Sequence, residues 1–241
     1  MIPADWFIPQ GVHIAFTDRH GGISKAPYDS LNLGDHVGDE PFAVQQNRQL
    51  LVQQLALPAE PQWLTQVHGV EVVDVDVDAN RRADGAFTQQ ADSVLTIMTA
   101  DCLPVLLCDA DGKQLAALHA GWRGLCYGVL EAGIAKFAKG SELYAYLGPA
   151  IGPTAFEVGA EVREAFMQHT PDAQHCFIAV PGTDGSKYLA DLVALAKLRL
   201  QAAGVPHIYA IGHCTFTQAA QYFSYRREPT TGRMASLIWR D

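Results

Sequence analysis

The chain has 241 residues, 49% of them hydrophobic and 18% charged, and its 17 Lys and Arg against 26 Asp and Glu leave a net charge of −9. About 70% of the extended surface of a chain this long can be buried, so folding needs no disulfide or metal staple, and the mix excludes disorder and low complexity. No basic run exceeds the pairs Arg81-Arg82 and Arg226-Arg227, which excludes a broad nucleic-acid or anionic-membrane footprint and leaves any anion to a local group of positive charges.

The opening MIPADWFIPQ has neither a basic region nor a long apolar core, so no secretory leader is expected. Residues 12–17 predict a first strand, followed by a glycine-rich turn at Arg19-His20-Gly21-Gly22. Asp39 is placed to cap a helix with Pro41 in its first turn, carried on by Val44, Leu51 and Leu55. Val73, Val75 and Val77 alternate with Asp74, Asp76 and Asp78, the period of a strand with one wet face. Three short apolar runs follow at 93–99, 103–108 and 114–119, with Asp111-Gly112 as a hairpin signal between the last two.

A helix is expected over 123–138, ended by Gly140, then a strand at 143–147 and a helix near 160–168. Leu189, Leu192, Val193, Ala196 and Leu200 form the clearest helical stripe, with Asp191 in its first turn, Lys197 and Arg199 near its end and Gly204 beyond. Strands at 207–211 and 234–239 close the chain. There is no internal repeat or linker, and hairpin-joined strands mixed with long helices predict an α+β or mixed α/β fold in one domain spanning 1–241. The longest apolar stretches are broken by Asp101 or Asp109, far short of the roughly 20 residues of a membrane span. Five scattered cysteines, at 102, 108, 126, 176 and 214, form no C-x-x-C pair and suit a reducing cytoplasm.

Three local patterns carry chemistry: Gln66-Val67-His68-Gly69, Thr99-Ala100-Asp101-Cys102-Leu103-Pro104 and His119-Ala120-Gly121-Trp122-Arg123-Gly124. Each puts a possible metal ligand at or beside the end of a predicted strand, next to glycine or proline, where backbone turns present side chains to a cleft. His68 and Cys102 are 34 residues apart, so this is no zinc finger; separate elements would have to converge. Two imidazoles and a thiolate suit zinc, leaving a fourth position for water or substrate, with hydroxide at neutral pH or a polarised oxygen as the gain. Taken singly, each histidine is as readily a surface or satisfied core residue, and Cys102 as readily core. The HAGWRG turn also has the form of an anion site, with helix-terminal N–H groups and Arg123 aimed at the ligand; a tight strand-to-helix turn with Arg123 in a surface ion pair is the plainer alternative.

QVHG, TADCLP, HAGWRG and the closing FSYRREPTTGRMASLIW, together with TDRHGGIS…YDSLNLG and GPAIGPTAFEVG, resemble the YfiH-type laccase-domain family, whose members are called laccase-domain proteins, polyphenol oxidases or purine nucleoside phosphorylases. The motifs run from about Thr17 to Trp239. The resemblance implies an α+β fold with mixed β-sheets packed between helices in a layered sandwich. It implies zinc held by His68, Cys102 and His119, which would also be catalytic. It further implies phosphorolysis of adenosine, inosine and methylthioadenosine, with adenosine deamination as a side activity, so that the partners are a purine nucleoside and phosphate. Beside these ligands Asp101 is a candidate ligand partner or proton shuttle, or equally a strand-end carboxylate. Arg19, Arg123, Arg226 and Arg227 are candidate anion or sugar contacts, and Phe223 or Tyr225 could stack on a base.

Two rival chemistries use the same residues. A multicopper oxidase needs paired His-x-His motifs and a blue-copper site; the sequence has no His-x-His, and three ligands cannot build four copper sites, so copper is disfavoured against zinc. The H-x-E with P-C-x-x-C signature of zinc nucleoside deaminases is absent too. Alternatively, Cys102 is a thiolate nucleophile activated by His119 or His68, a cysteine hydrolase or amidase editing a cell-wall precursor by removing serine from a UDP-muramyl intermediate. A third class, a binding or regulatory module without catalysis, fits the glycine-bearing turns less well.

Overall fold

The structure is a computed structural model and describes residues 2–241. The first half of the chain forms β1 (Val12–Phe16), α1 (Pro41–Gln54), β2 (Val72–Asp74), β3 (Gly85–Thr88), β4 (Leu95–Thr99), β5 (Leu103–Asp109) and β6 (Leu115–Ala120). Then come α2 (Trp122–Tyr127), α3 (Val129–Ile134), β7 (Leu143–Leu147), β8 (Glu157–Gly159) and α4 (Ala160–His169). A 3-10 turn at Pro171–Cys176 leads into β9 (Phe177–Ala179), β10 (Lys187–Ala190), α5 (Leu192–Ala202), β11 (His207–Ala210) and β12 (Met234–Arg240).

The central sheet has six strands in the order β11-β7-β5-β6-β3-β2. Its neighbours are antiparallel except at the two rims, where β11 runs parallel to β7 and β2 parallel to β3. The expected hairpin joins β5 to β6, turning at Gly112, whose φ of +67° is the left-handed backbone such a turn requires. A second, antiparallel sheet has the order β1-β12-β4, and a small one the order β8-β10-β9. This is the α+β architecture of mixed sheets packed between helices.

Alternation of side chains assigns the faces. Leu103, Val105 and Leu107 of β5 and Ala116, Leu118 and Ala120 of β6 pack with Leu125, Val129, Leu195 and Leu200 of the helical layer. On the other face Leu106, Cys108, Leu115 and Ala117 pack against Ile14, Leu95, Ile97 and Ile238 of the second sheet. The far side of that sheet, Ala235, Leu237 and Trp239, is covered by Leu31, Leu33 and Leu51. All seven residues of β5 are buried, which is why the six before Asp109 are an unbroken apolar run; each such Leu or Val contributes about 1.5–3 kcal/mol.

Several local expectations are corrected by packing. The helix expected over 123–138 is two short ones, because Gly128 sits between them at φ +107° and its N–H caps the carbonyl of Gly124. Asp39 does not cap α1: Glu40 holds that position, and the Asp39 carboxylate accepts from the Ser24 hydroxyl at 2.6 Å and the Asn32 amide at 2.9 Å. Leu189 belongs to β10, and Asp191 is itself the N-cap of α5, accepting from the Ala194 N–H at 2.9 Å. The valine alternation stops at Asp74, where Asp74, Asp76 and Asp78 bond one another's backbone in a turn. Among the described residues no helix is long and apolar enough to cross a membrane.

The placement of β4 matters most for function. β4 lies in the second sheet and β5 in the central one, so residues 100–102 cross between the sheets. The crossing delivers the chain to the start of β5 beside the end of β6, where Leu103 pairs with Ala120.

Candidate metal centre

The three motifs meet at this end. His119 is the fifth of the six residues of β6 and, sharing a face with Leu115 and Ala117, turns toward the gap between the sheets. Cys102 immediately precedes β5. His68 lies in a loop pinned at both ends. The Gln66 side-chain amide pairs with the backbone of Met98 in both directions at 2.8 Å, extending the edge of β4. The N–H groups of Val67, His68 and Gly69 all donate to the carboxylate of Asp84, at 3.1, 2.8 and 2.6 Å. These bonds hold His68 at φ +61°, a left-handed conformation that costs a side-chain-bearing residue about 1–3 kcal/mol and persists only when its surroundings impose it.

The ligand atoms of His68, Cys102 and His119 lie within 4.8 Å of one another. Cys102 Sγ is 3.8 Å from His68 Nε2, and the two imidazole rings meet edge-on with centroids 4.8 Å apart. His119 Nδ1 lies 2.8 Å from Asp84 Oδ1; donating its proton there leaves the Nε2 lone pair for the cluster. Space is reserved as well: a Cβ on Gly121 would stand 3.0 Å from His68 Cδ2 and 3.1 Å from Cys102 Sγ. Two imidazole nitrogens and one sulfur, one imidazole oriented by a carboxylate, fit a tetrahedral ion with one position left open. The three residues could hold a metal ion.

The charges are strongly coupled. Burial alone would push the Cys102 thiol up, but the adjacent His119 and His68 outweigh it and bring it down to about 6. Burial likewise opposes charge on His119, yet the Cys102 sulfur and the Asp84 carboxylate hold its proton on, up to about 9. Asp84, fully buried, would be raised by burial; the hydrogen bonds from His119, Gly69 and Val67 prevail and keep it below the usual carboxylate range. Without a metal the site is therefore a thiolate–imidazolium pair.

A cavity of about 440 Å³ opens on the cluster, and Asp101, Ile151, Phe156, Tyr225, Arg226, His36 and Arg233 also line it. Asp101, at φ +100°, accepts from the Thr215 hydroxyl at 2.6 Å and from the Arg226 N–H at 2.7 Å. One oxygen thus ties the strand crossing to Thr215 and the other to the segment that carries Tyr225 and Arg226.

The other predicted contacts lie elsewhere. Phe223 is fully buried in a cluster with Ala100, Tyr222 and Met234, so it cannot stack on a base, and this expectation is corrected. Arg19 covers that ring at 4.7 Å and donates to the carbonyls of Asp29 and Ala219, outside the cavity. Arg123 lies on α2 and packs over Trp122 at 4.8 Å. Arg227 is spent on the carbonyls of Thr215, Phe216 and Tyr222.

Sequence reasoning missed Asp84, Gln66, His36 and Arg233. Asp84 sits one residue before β3 in an Asp-Gly pair, which reads as an ordinary turn. Only the pairing of β3 with β6 brings it to His119, whose N–H also bonds the Asp84 carbonyl at 2.7 Å.

A family model described as "Multi-copper polyphenol oxidoreductase laccase" matches residues 13–241. A protein of Escherichia coli (strain K12) named "Purine nucleoside phosphorylase YfiH" is 50% identical over 242 residues, covering 99% of this chain and 98% of its own. A Pseudomonas aeruginosa protein also named as a purine nucleoside phosphorylase is 50% identical over 236 residues, covering 98% of this chain and 96% of its own. Among solved structures, a Neisseria meningitidis protein superposes with a TM-score of 0.92 at 47% identity, over 99% of this chain and 98% of that one. The Bacillus licheniformis hypothetical protein YfiH does so with a TM-score of 0.88 at 28% identity, over 95% and 93%.

Proposed function

The chain belongs to the YfiH-type laccase-domain family, and from that premise we propose that it is a zinc-dependent purine nucleoside phosphorylase acting on adenosine, inosine and methylthioadenosine, with adenosine deamination as a side activity. The observation that carries this reading is the convergence of His68, Cys102 and His119 on the floor of a cavity of about 440 Å³, inside the range of small-molecule sites. When bound there, zinc supplies a concentrated positive charge with one coordination position free.

The chain's own residues do the rest. His68, His119, with its Nδ1–H donating to the Asp84 carboxylate, and the Cys102 thiolate would hold the ion. Phe156, Ile151 and Tyr225 offer apolar faces to a purine. In phosphorolysis the bond between C1′ and the purine nitrogen breaks with its electron pair leaving on the purine. A phosphate oxygen bonds C1′, and the proton released by phosphate ends on the purine, giving ribose 1-phosphate and free base. The transition state is oxocarbenium-like, so catalysis requires phosphate and sugar to be held in line. Asp101, with both oxygens engaged, acts as a positioning residue for Arg226.

One observation favours a second reading. A thiolate–imidazolium pair, with Cys102 near 6 and His119 near 9, is what a cysteine hydrolase or amidase needs, including one that edits a UDP-muramyl-serine precursor. A multicopper oxidase fits least, because among the described residues a single three-ligand group gathers, where four coppers would be required.

The decisive experiment incubates metal-analysed protein with adenosine or inosine, with and without phosphate. Phosphate-dependent release of base with ribose 1-phosphate, lost on chelation and in Cys102→Ala, is the expected result. Absence of base release from every purine nucleoside would reject the proposal. Activity that survives chelation but not thiol alkylation would transfer the site to the hydrolase reading.

A further inference from the structure

The phosphorolysis reading requires a phosphate, yet the arginines singled out by motif are largely engaged elsewhere: Arg19, Arg123 and Arg227 do not line the cavity. Three other basic groups do. Arg226 donates one Nη1 bond to the Glu157 carbonyl at 2.8 Å and rests over Phe156 at 5.5 Å. Arg233 donates Nη1 to the carbonyls of Thr231 and Gly232 at 3.0 Å. His36 lines the same wall from the N-terminal loop, about half exposed, with its Nδ1 3.5 Å from Asp35.

Arg233 is the most telling. Its stem is clamped: a Cβ on Gly34 would stand 2.8 Å from its Cγ, and its backbone N–H bonds the buried Asn32 side chain at 2.9 Å. Among the described residues neither its Nε nor its Nη2 has a hydrogen-bond partner, and no carboxylate lies within salt-bridge reach of it or of Arg226. Burial disfavours its charge, while the Cys102 sulfur and the Asp101 carboxylate are near enough to act on it. In a chain of net charge −9, the partly buried Arg233 guanidinium, without an acidic partner beside a possible metal cluster, is costly unless an anion completes it, and the exposed Arg226 on the same cavity offers further donors to that anion.

We propose that Arg233, Arg226 and His36 form a subsite for a phosphate group, set on the cavity wall beside the His68–Cys102–His119 cluster. A carboxylate is satisfied by one bidentate arginine, whereas a tetrahedral dianion offers three or four oxygens and takes donors from several directions. Here the donors come from two separate segments, residues 226–233 and the loop at residue 36. The phosphate is inorganic phosphate if the phosphorolysis reading, on which that assignment rests, is right. The same donors would take the phosphate of a nucleotide.

Binding is measured directly, so that the subsite is judged apart from the reaction. The metal-loaded protein is titrated with inorganic phosphate, and separately with adenosine monophosphate, by calorimetry and by 31P NMR line width. Arg226→Gln, Arg233→Gln, Arg233→Lys and, as a control on an exposed loop outside the cavity, Arg82→Gln are compared at matched zinc content and melting temperature. Binding of either probe to the wild type, weakened at least tenfold in Arg226→Gln and Arg233→Gln, partly restored in Arg233→Lys and unchanged in Arg82→Gln, is the expected result. Tight nucleotide binding with no inorganic phosphate binding keeps the subsite and removes phosphorolysis. Binding of neither probe overturns the subsite and the phosphorolysis reading together, whereas phosphate binding that both glutamine variants leave unchanged while base release continues overturns the subsite without touching the reaction. Because Arg233→Gln removes bonds that shape the loop, a failure of that variant to fold leaves Arg226→Gln to decide.

Discussion

Asp84 and His119 form the most consequential contact in the molecule: a carboxylate with no exposure accepts from an imidazole that is 3% exposed, at 2.8 Å. The same carboxylate collects the three N–H groups that shape the His68 loop. One side chain therefore aims one candidate metal ligand and builds the loop that carries another.

Replacing it tests both roles. Asp84→Asn keeps the shape but presents an amide N–H to donors, so zinc affinity should fall about 10- to 100-fold and the apo protein should lose roughly 1–3 kcal/mol. Competition with a chromophoric chelator and thermal melting read the two effects. Unchanged zinc affinity would show that His119 needs no orienting partner.

Gly121 has an ordinary backbone, φ −63°, so Gly121→Ala introduces no conformational strain. Its new Cβ would crowd His68 Cδ2 at 3.0 Å and Cys102 Sγ at 3.1 Å. Bound metal per chain should drop severalfold while metal-free stability stays within about 0.5 kcal/mol of wild type, the range of an uneventful substitution. Full metal content in the alanine variant would mean that the cluster has room to spare.

The ion pair gives two pH signatures in metal-free protein. Cys102 should be alkylated with a midpoint near 6 instead of the ordinary 9. Peptide-resolved mass spectrometry must follow it, since Cys108 and Cys176 are raised by burial to about 12 and 11 and Cys214 is also lowered. In His119→Gln the midpoint should move up.

Stability behaves differently. The lowered thiol contributes stability that is complete above its ordinary 9.0 and is lost as pH falls through about 6. The raised imidazole contributes stability that is complete below its ordinary 6.5 and is lost as pH rises through about 9. Between these limits folding moves a proton from sulfur to nitrogen without net uptake, so the pair contributes a flat stability profile from about 6.5 to 9. In Cys102→Ser the sulfur that does most to hold the His119 proton on is gone, so the imidazole should come down from about 9 and the pair's contribution to stability should be lost. A sloping contribution in wild type relative to a Cys102→Ser/His119→Gln double variant would refute the pairing.

Phe223 and Tyr225, two residues apart, should separate structure from binding. Phe223→Ala empties a fully buried site and should cost about 3–5 kcal/mol. Tyr225, 55% exposed on the cavity wall, should leave melting unchanged as alanine and raise the nucleoside KM severalfold. An unaltered KM would place the purine elsewhere in the cavity.

The amino-acid sequence by itself determined most strands, the hairpin at Gly112 and the positions of His68, Cys102 and His119, because periodicity and glycine act over a few residues and the motifs mark where strands end. It did not determine that β4 leaves the neighbouring strands to pair with β12 at the far end of the chain, since an apolar run carries no record of its partner. It did not distinguish buried Phe223 from exposed Tyr225, or a turn aspartate from the one beneath His119. Those outcomes depend on which surfaces meet, and only the closed packing of the two sheets fixes what is covered, what is charged and what can reach a ligand.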